Sequence, residues 1–192
     1  TAIFGKWHLG FKPEHGPNAH GFDQFFGFLD WTIDYHSHKN VSGFPALYDN
    51  TELVEQDGYF TDLVTDHAVS FINQHSHEPF FTFVSYNAPL PPYQRPDRPD
   101  DVRAAQTWFD MDRQNYAISI ERADEGIGRI LDALDANSLS ENTVVIFASD
   151  HGGDSEISSN RPFFHGFGTL WEGGIRVPCI IRWPGHLPAE TE

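Results

Sequence analysis

Two short polar motifs follow apolar stretches in this sequence, and their side chains are of types that bind metals and anions. Asp150 and His151 follow the apolar run VVIFA, and Lys6 and His8 follow a short apolar stretch at the amino terminus. A carboxylate is the oxygen ligand that Ca²⁺ or Mg²⁺ prefers, whereas an imidazole suits Zn²⁺ or Mn²⁺ better. An ammonium group can hold an oxyanion, and a histidine can donate a proton to it. The motifs suggest a metal or an anionic substrate, although each of these residues is also common in ordinary loops.

The elements around Asp150 predict a strand–helix–strand unit. Phe80 to Tyr86 and Val144 to Ala148 are apolar runs typical of strands buried on both faces. Between them, apolar residues at helical spacing predict a helix from about Arg113 to Ala136. Such a βαβ unit implies parallel strands with a right-handed crossover. The ends of parallel strands meet at one sheet edge, where ligands bind in open α/β sheets. We therefore expect the two polar motifs to converge there.

The remaining pattern indicates one α/β layer architecture over residues 1–192, with no linker. An amphipathic helix is expected from Thr61 to about Gln74, capped by Thr61. Val177 to Trp183 is predicted to be a strand, and Phe11 to Tyr59 a long irregular segment held by aromatic anchors. Gly5 is expected to end the first apolar stretch.

Composition excludes several classes of function. The chain carries 28 acidic against 12 basic residues, a formal net charge of −16. This balance argues against non-specific binding of nucleic acid and against attraction to anionic membranes. No apolar run is long enough to span a bilayer. The single cysteine, Cys179, excludes an internal disulfide, and its apolar setting favours a structural role.

Longer motifs resemble the sulfatase family. GKWHLG at residues 5–10 is similar to a family signature, and NTVVIFASDHGG at residues 142–153 resembles the strand that carries a metal-binding Asp. GTLWEGGIRVPCIIRWPG at residues 168–185 resembles the segment that closes the catalytic core. The likeness extends over nearly the whole chain in the family's order. It implies a mostly parallel sheet flanked by helices, an alkaline-phosphatase-like core that is incomplete here.

The resemblance also implies an activity and its parts. Sulfatases hydrolyse sulfate esters with a formylglycine nucleophile, which a formylglycine-generating enzyme makes from Cys or Ser in a C/S-x-P-x-R motif. A divalent cation, usually Ca²⁺, holds the sulfate and the nucleophile. By resemblance, Lys6 and His8 would contact the formylglycine diol and the sulfate, and Asp150 and His151 would bind the cation. The substrate would be a sulfated carbohydrate or an aryl sulfate, and the compartment periplasmic, secreted or lysosomal.

The sequence departs from the family pattern at several points. The C/S-x-P-x-R motif and the paired acidic residues that complete the metal site are absent. Both normally precede GKWH, so we expect a fragment of a catalytic domain, inactive by itself. Leu90 stands where the family has a sulfate-contacting His, and Phe167 where it has a sulfate-binding Lys. His165 is a candidate for partial replacement of that lysine.

Three functions remain open from the sequence. The chain could belong to a sulfatase, to a phosphate or phosphonate ester hydrolase of the same fold, or to a catalytically impaired sulfatase-like binding protein. Leu90 and Phe167 favour the second and third alternatives, because each replaces a group that would contact the sulfate.

Overall fold

The computed structural model describes residues 1–98 and 112–189, which fall into two compact units. Unit 1 contains residues 1–98 and 114–133, and unit 2 contains residues 112–113 and 134–189. In chain order, the strands and α-helices are β1 (Ala2–Lys6), β2 (Gln24–Phe28), β3 (Tyr48–Asp49), β4 (Glu52–Leu53), α1 (Phe60–Gln74), β5 (Thr82–Ser85), α2 (Arg113–Ala136), β6 (Val145–Ala148), α3 (Glu172–Ile175) and β7 (Cys179–Arg182).

Unit 1 is built on a five-stranded sheet in the order β4-β3-β2-β1-β5. Its centre is parallel, because β1 pairs in parallel with both β2 and β5, whereas β3 and β4 are joined antiparallel at one edge. The sequence pattern does not predict β2, because the aromatic residues of QFFGF resemble isolated anchors of a long loop. Four of its five residues are buried, so the strand shows no alternation of polar and apolar positions.

Helix α1 covers one face of this sheet. Phe4 of β1 meets Phe71 edge to face, at 5.8 Å between ring centroids. The imidazole of His67 lies flat on Phe26 of β2, at 3.7 Å and 12°. Burial lowers the pKa of His67, and Asp49 and Asp66 oppose this shift. The helix therefore presents a neutral imidazole to an aromatic core.

The predicted bounds of α1 are confirmed within one residue, but its predicted cap is wrong. The residue at the amino-terminal cap is Tyr59, and no side chain caps the helix. Thr61 lies inside the first turn, and its buried hydroxyl has no hydrogen-bond partner among the described residues. The spacing of apolar residues therefore predicts the position of the helix. It does not predict the capping residue, because that depends on where the chain enters the helix.

Helix α2 has the predicted bounds and packs on α1 and the end of β5. The guanidinium of Arg122 donates to both carboxylate oxygens of Asp62, at 2.6 and 2.8 Å. One turn further on, Gly126 lies over a hydrogen bond of 2.7 Å between the hydroxyls of Thr65 and Tyr86. A β-carbon on Gly126 would be 2.5 Å from the Thr65 hydroxyl. This glycine therefore permits the close packing of α2.

Unit 2 contains a two-stranded sheet in which β6 and β7 are antiparallel. The predicted βαβ unit is not seen as one sheet: within residues 1–98 and 112–189, β6 pairs with β7 in a sheet separate from the one that contains β5. The prediction that β6 is buried on both faces is wrong, since Ile146 is 65% exposed. On β5, predicted likewise as a buried strand, Phe83 is 50% exposed. Strand pairing joins residues that are far apart in the sequence, so local periodicity does not predict it.

Cys179 lies at the start of β7, as the predicted strand requires, and its side chain is exposed. No helix within residues 1–98 and 112–189 is long and apolar enough to cross a membrane.

Two glycines of α2 give a matched test of this packing. We expect Gly126→Ala to lower the free energy of unfolding by about 1 to 3 kcal/mol, because the added methyl group collides with the Thr65–Tyr86 pair. Gly128 has nothing within 4 Å of its ideal β-carbon, so Gly128→Ala should stabilise by up to about 1 kcal/mol through helix propensity. Urea unfolding measures both. Equal effects of the two substitutions would contradict the packing assigned to Gly126.

Candidate functional site

The segment of β1 that carries Lys6 is shaped by a close approach of three backbones. The sequence predicts that β1 ends at Gly5, but the strand continues to Lys6. In the sheet register Gly5 lies between Gly27 of β2 and Ser85 of β5. A β-carbon on Gly5 would be 1.9 Å from the Ser85 carbonyl oxygen, and φ of Gly5 is 116°. Only glycine fits this position, so it allows the three backbones to pack closely just before Lys6, the last residue of the strand.

The loop after Lys6 is held by Trp7. Its backbone N–H donates to the Phe28 carbonyl at 2.9 Å, and its indole N–H donates to the His15 carbonyl at 2.7 Å. The ring of Phe22 packs edge to face against the indole at 6.3 Å. Lys6 and His8 are therefore on either side of an anchored residue.

His8 has an unusual backbone conformation. Its φ is 58°, in the left-handed region that is uncommon for a residue with a side chain. Such conformations cluster at functional sites, where the surrounding structure maintains them. Desolvation and the neighbouring charge of Lys6 lower the pKa of His8, and Asp30 opposes them. The neutral imidazole is therefore favoured, and it can both accept and donate a hydrogen bond.

Asn87 and Leu90 lie just beyond β5. Since β5 and β1 are parallel neighbours, Lys6 at the end of β1 and Asn87, two residues after β5, lie at the same sheet edge. Asn87 is 5% exposed, and its amide oxygen has no hydrogen-bond partner within the described part of the chain. Leu90 is half-buried, and its backbone carbonyl accepts a hydrogen bond from the Tyr35 hydroxyl at 3.0 Å.

The loop that contains Leu90 is fixed by Gln94, which is fully buried. Its amide oxygen accepts from the Tyr35 N–H at 2.8 Å, and its amide nitrogen donates to the Asp34 carboxylate at 2.9 Å. Its backbone carbonyl accepts from the Tyr59 hydroxyl at 3.0 Å. Burial raises the pKa of Tyr35 well above its ordinary value, so the hydroxyl stays protonated and donates to Leu90. One side chain thus joins the loop after β5 to the segment around residue 35.

Unit 2 carries the second polar motif, and there Asp150 and His151 are adjacent in space as well as in sequence. The His151 Nε2 lies 3.4 Å from an Asp150 carboxylate oxygen, and the His151 Nδ1 lies 3.0 Å from the Gly152 carbonyl. If Nδ1 carries the proton and donates to this carbonyl, Nε2 keeps its lone pair for a ligand. The pair therefore presents one oxygen and one nitrogen donor.

These donors fit part of a metal site. Two ligands that each lie about 2.3 Å from one cation are at most about 4.6 Å apart, so the 3.4 Å separation is compatible with a shared ion. Ca²⁺ takes six to eight ligands. Across residues 1–98 and 112–189, no group of three or more His, Cys, Asp or Glu side chains could hold a metal ion. The pair alone is thus not a complete site.

The backbone around the pair leaves no space for side chains. The Gly152 N–H donates to the Gly174 carbonyl at 2.9 Å, and a β-carbon on Gly152 would be 1.7 Å from the Gly173 carbonyl oxygen. The loop after β6 therefore rests directly on the short helix α3. This contact explains the glycine at position 152, whereas β-carbons on Gly173 and Gly174 would collide with backbone carbonyls of the loop at residues 164–169.

Phe167 and His165 occupy the neighbouring loop. The Phe167 ring lies 4.4 Å from the His151 ring, between centroids, so an aromatic side chain contacts the candidate ligand at the position where the sequence resemblance predicts a lysine. His165 has a φ of 61° and lies parallel to Trp171 at 6.2 Å. The structure places His165 two residues before Phe167 in an exposed position, and its replacement of the lysine stays a prediction.

The candidate residues thus form two groups, one in each unit. Lys6, His8 and the Asn87–Leu90 loop belong to unit 1, and Asp150, His151, His165 and Phe167 belong to unit 2. One residue of interest was missed from sequence: Asn160, whose side chain bonds the backbone of Gly153. It lies in a polar loop without periodicity, where a single Asn gives no signal.

The fold and these motifs together define a class of protein. The parallel centre of the main sheet, its flanking helices and the polar groups at strand ends agree with an alkaline-phosphatase-like α/β core. The family model described as Sulfatase matches residues 1–192, so the chain belongs to the sulfatase family.

Individual relatives agree with this assignment. The chain is 33% identical over 207 residues to N-acetylgalactosamine-6-sulfatase of Mus musculus, covering 97% of this chain and 38% of that protein. It is 32% identical over 194 residues to arylsulfatase J of Mus musculus, covering 96% of this chain and 32% of that protein. Among solved structures it is similar to Ps i-CgsB, with a TM-score of 0.85 and 32% identity over 98% of this chain and 46% of that one. The chain spans less than half the length of each of these relatives.

Gln94 gives a test of how the loop after β5 is held. We expect Gln94→Leu to lower the free energy of unfolding by about 2 to 4 kcal/mol, because the Tyr35 N–H loses its acceptor and the Asp34 carboxylate loses a donor inside the core. The exposed Gln56→Leu is the matched control and should change stability by less than about 0.5 kcal/mol. Chemical unfolding of the two variants measures the difference. If Gln94→Leu lowers the free energy of unfolding by less than about 1 kcal/mol, the Gln94 side chain does not hold this loop in place.

Proposed function

We propose that residues 1–192 are part of a sulfatase catalytic domain, and that the protein which carries them hydrolyses sulfate esters. The single observation that carries this proposal is the match to the sulfatase family along the whole chain. It includes the segments around Lys6 and Asp150, whose side chains are of the types that bind an oxyanion and a cation.

Lys6 and His8 are proposed to act on the sulfate group. Lys6 is a half-buried residue, and its ammonium group would balance charge on the sulfate oxygens. His8, whose neutral form is favoured, would donate a hydrogen bond to the same group as charge develops on it. These 192 residues have a formal net charge of −16, so a local cation is needed to attract an anionic substrate.

Asp150 and His151 are proposed to supply part of a divalent-cation site, with Ca²⁺ as the preferred ion. A bound cation would supply electrostatic stabilisation of the sulfate and of the nucleophile. Asp150 contributes the oxygen ligand, and His151 is oriented through its contact with the Gly152 carbonyl. The family's formylglycine motif is not in the sequence, so the nucleophile and the other ligands are proposed to come from sequence outside these 192 residues.

The substrate is proposed to be a sulfated carbohydrate. One group of relatives is named N-acetylgalactosamine-6-sulfatase. A second structure of Ps i-CgsB, 31% identical to this chain, is described as a complex with k-i-k-neocarrahexaose. These names refer to those proteins, and they favour a sulfated sugar over a simple aryl sulfate for this one.

A second candidate is a sulfatase-like protein with weakened hydrolysis. It is favoured by Leu90 and Phe167, two apolar side chains at positions where the family contacts the sulfate. Each charge-assisted contact is typically worth about 1.5 to 3 kcal/mol, so their replacement could shift the site towards other esters or towards binding alone.

Metal binding tests the role of Asp150. We expect the full-length protein to bind Ca²⁺ in isothermal titration calorimetry, and Asp150→Ala to weaken binding at least tenfold, because an oxygen ligand is lost. Glu156→Ala, which removes an exposed carboxylate from the polar loop that follows, should leave the affinity unchanged. Unchanged binding in Asp150→Ala would show that this residue is not a ligand.

Hydrolysis tests the proposed activity and the two replaced positions together. The full-length protein should release sulfate from a sulfated oligosaccharide or an aryl sulfate faster than it releases phosphate from the matching aryl phosphate. Leu90→His with Phe167→Lys should raise kcat/KM for the sulfate ester by about tenfold or more, since two sulfate contacts are restored. Leu53→His with Phe44→Lys, on exposed positions elsewhere, controls for added positive charge. Preference for the phosphate ester would contradict the proposal, and no gain in the double variant would refute the assignment of these positions.

A further inference from the structure

Asn160 makes a two-point contact with the backbone of Gly153. Its amide oxygen accepts a hydrogen bond from the Gly153 N–H at 2.9 Å, and its amide nitrogen donates to the Gly153 carbonyl at 2.7 Å. The side chain is half-buried. A planar amide that meets both the N–H and the C=O of one residue restrains the two peptide units that flank its α-carbon.

Gly153 is also the point at which the neighbouring loop is attached. Its carbonyl accepts a second hydrogen bond from the Phe167 N–H at 3.1 Å. A β-carbon on Gly166 would be 2.3 Å from this carbonyl oxygen and 2.4 Å from the Asn160 amide nitrogen. The backbones at residues 153 and 166 are thus in close contact, and the side-chain amide of Asn160 packs against both.

This contact lies two residues after His151. The His151 ring packs on Phe167, and the Phe167 N–H donates to the Gly153 carbonyl. The Asn160 amide in turn is hydrogen-bonded to Gly153. The loop from Asp150 to Gly153 is therefore restrained at Gly152 by α3 and at Gly153 by Asn160. Loss of the second restraint would let the loop, and the imidazole with it, sample other positions.

We propose that Asn160 is a positioning residue that holds the Asp150–His151 pair ready for the cation, acting through Gly153. The inference rests on the proposed function, because it assumes that this pair binds a cation. Groups behind metal ligands orient them, and their loss typically costs about 10-fold to 100-fold in metal affinity. Through its two bonds to Gly153, Asn160 contacts backbone, so it supports the ligands and does not replace one.

The test uses the full-length protein and the near-isosteric substitution Asn160→Leu, which keeps the volume and removes both hydrogen bonds. We expect the dissociation constant for Ca²⁺, measured by calorimetry, to rise at least tenfold, which is about 1.4 kcal/mol. The control is Ser158→Ala, which removes a hydrogen bond to the Asp154 carbonyl in the same loop and should leave the affinity unchanged. The milder Asn160→Ser, whose hydroxyl can make one bond, serves if Asn160→Leu does not fold, and should weaken Ca²⁺ binding several-fold.

A second measurement does not depend on the metal. In the Ca²⁺-free protein, the imidazole proton resonances of His151 should be displaced by the ring current of Phe167 and can be assigned with His151→Gln. Asn160→Leu should bring them towards the values of an unstacked histidine, while the melting temperature shows that the fold persists.

The outcomes separate the two proposals. If the unsubstituted protein binds Ca²⁺ and Asn160→Leu binds it equally well, the positioning role is refuted and the cation site stands. If the unsubstituted protein binds no Ca²⁺, the proposed cation site fails, and the His151 resonances alone decide whether Asn160 holds the loop. Unchanged resonances in Asn160→Leu would overturn the inference in either case.

Discussion

The structure of unit 1 depends on how closely three parallel backbones approach at Gly5. β1 is hydrogen-bonded on both sides, and the glycine lies between Gly27 and the Ser85 carbonyl with no space for a methyl group. The approach sets the register of the three strands, and the register places Lys6 and the loop of Asn87 at one edge. Helix α1 then covers the sheet, and α2 covers α1 through a second glycine. The polar groups are thus positioned by main-chain contacts.

Sequence patterns predicted the elements that are amphipathic over several turns. Helix α2 has the predicted bounds and α1 begins one residue earlier, because their apolar periodicity reflects the face that each helix buries. β2 was missed because a strand with buried neighbours on both faces has no alternation to detect. The pairing of β6 with β7 was not predictable from local composition, since it joins residues that are more than thirty positions apart.

The candidate site was predictable to a similar extent. Lys6, His8, Asp150 and His151 belong to motifs that resemble the family, and these could be identified residue by residue. The contacts that orient them could not, because they run through backbone groups and through amides such as Gln94 and Asn160. An amide in a loop has no periodic pattern, and its partners are fixed only when the chain folds. The assignment of roles to the four motif residues stays a prediction.

The contact of His67 with Phe26 has a further consequence for the conditions under which unit 1 is stable. Burial places the pKa of this imidazole below its ordinary value of 6.5, whereas the unfolded chain would titrate near that value. The unfolded state therefore binds more protons as the solution is acidified, and folding loses free energy once the pH falls below about 6.5. Above that pH the aromatic contact has its full strength. The stacked pair thus sets a lower limit to the pH range in which helix α1 stays packed on its sheet.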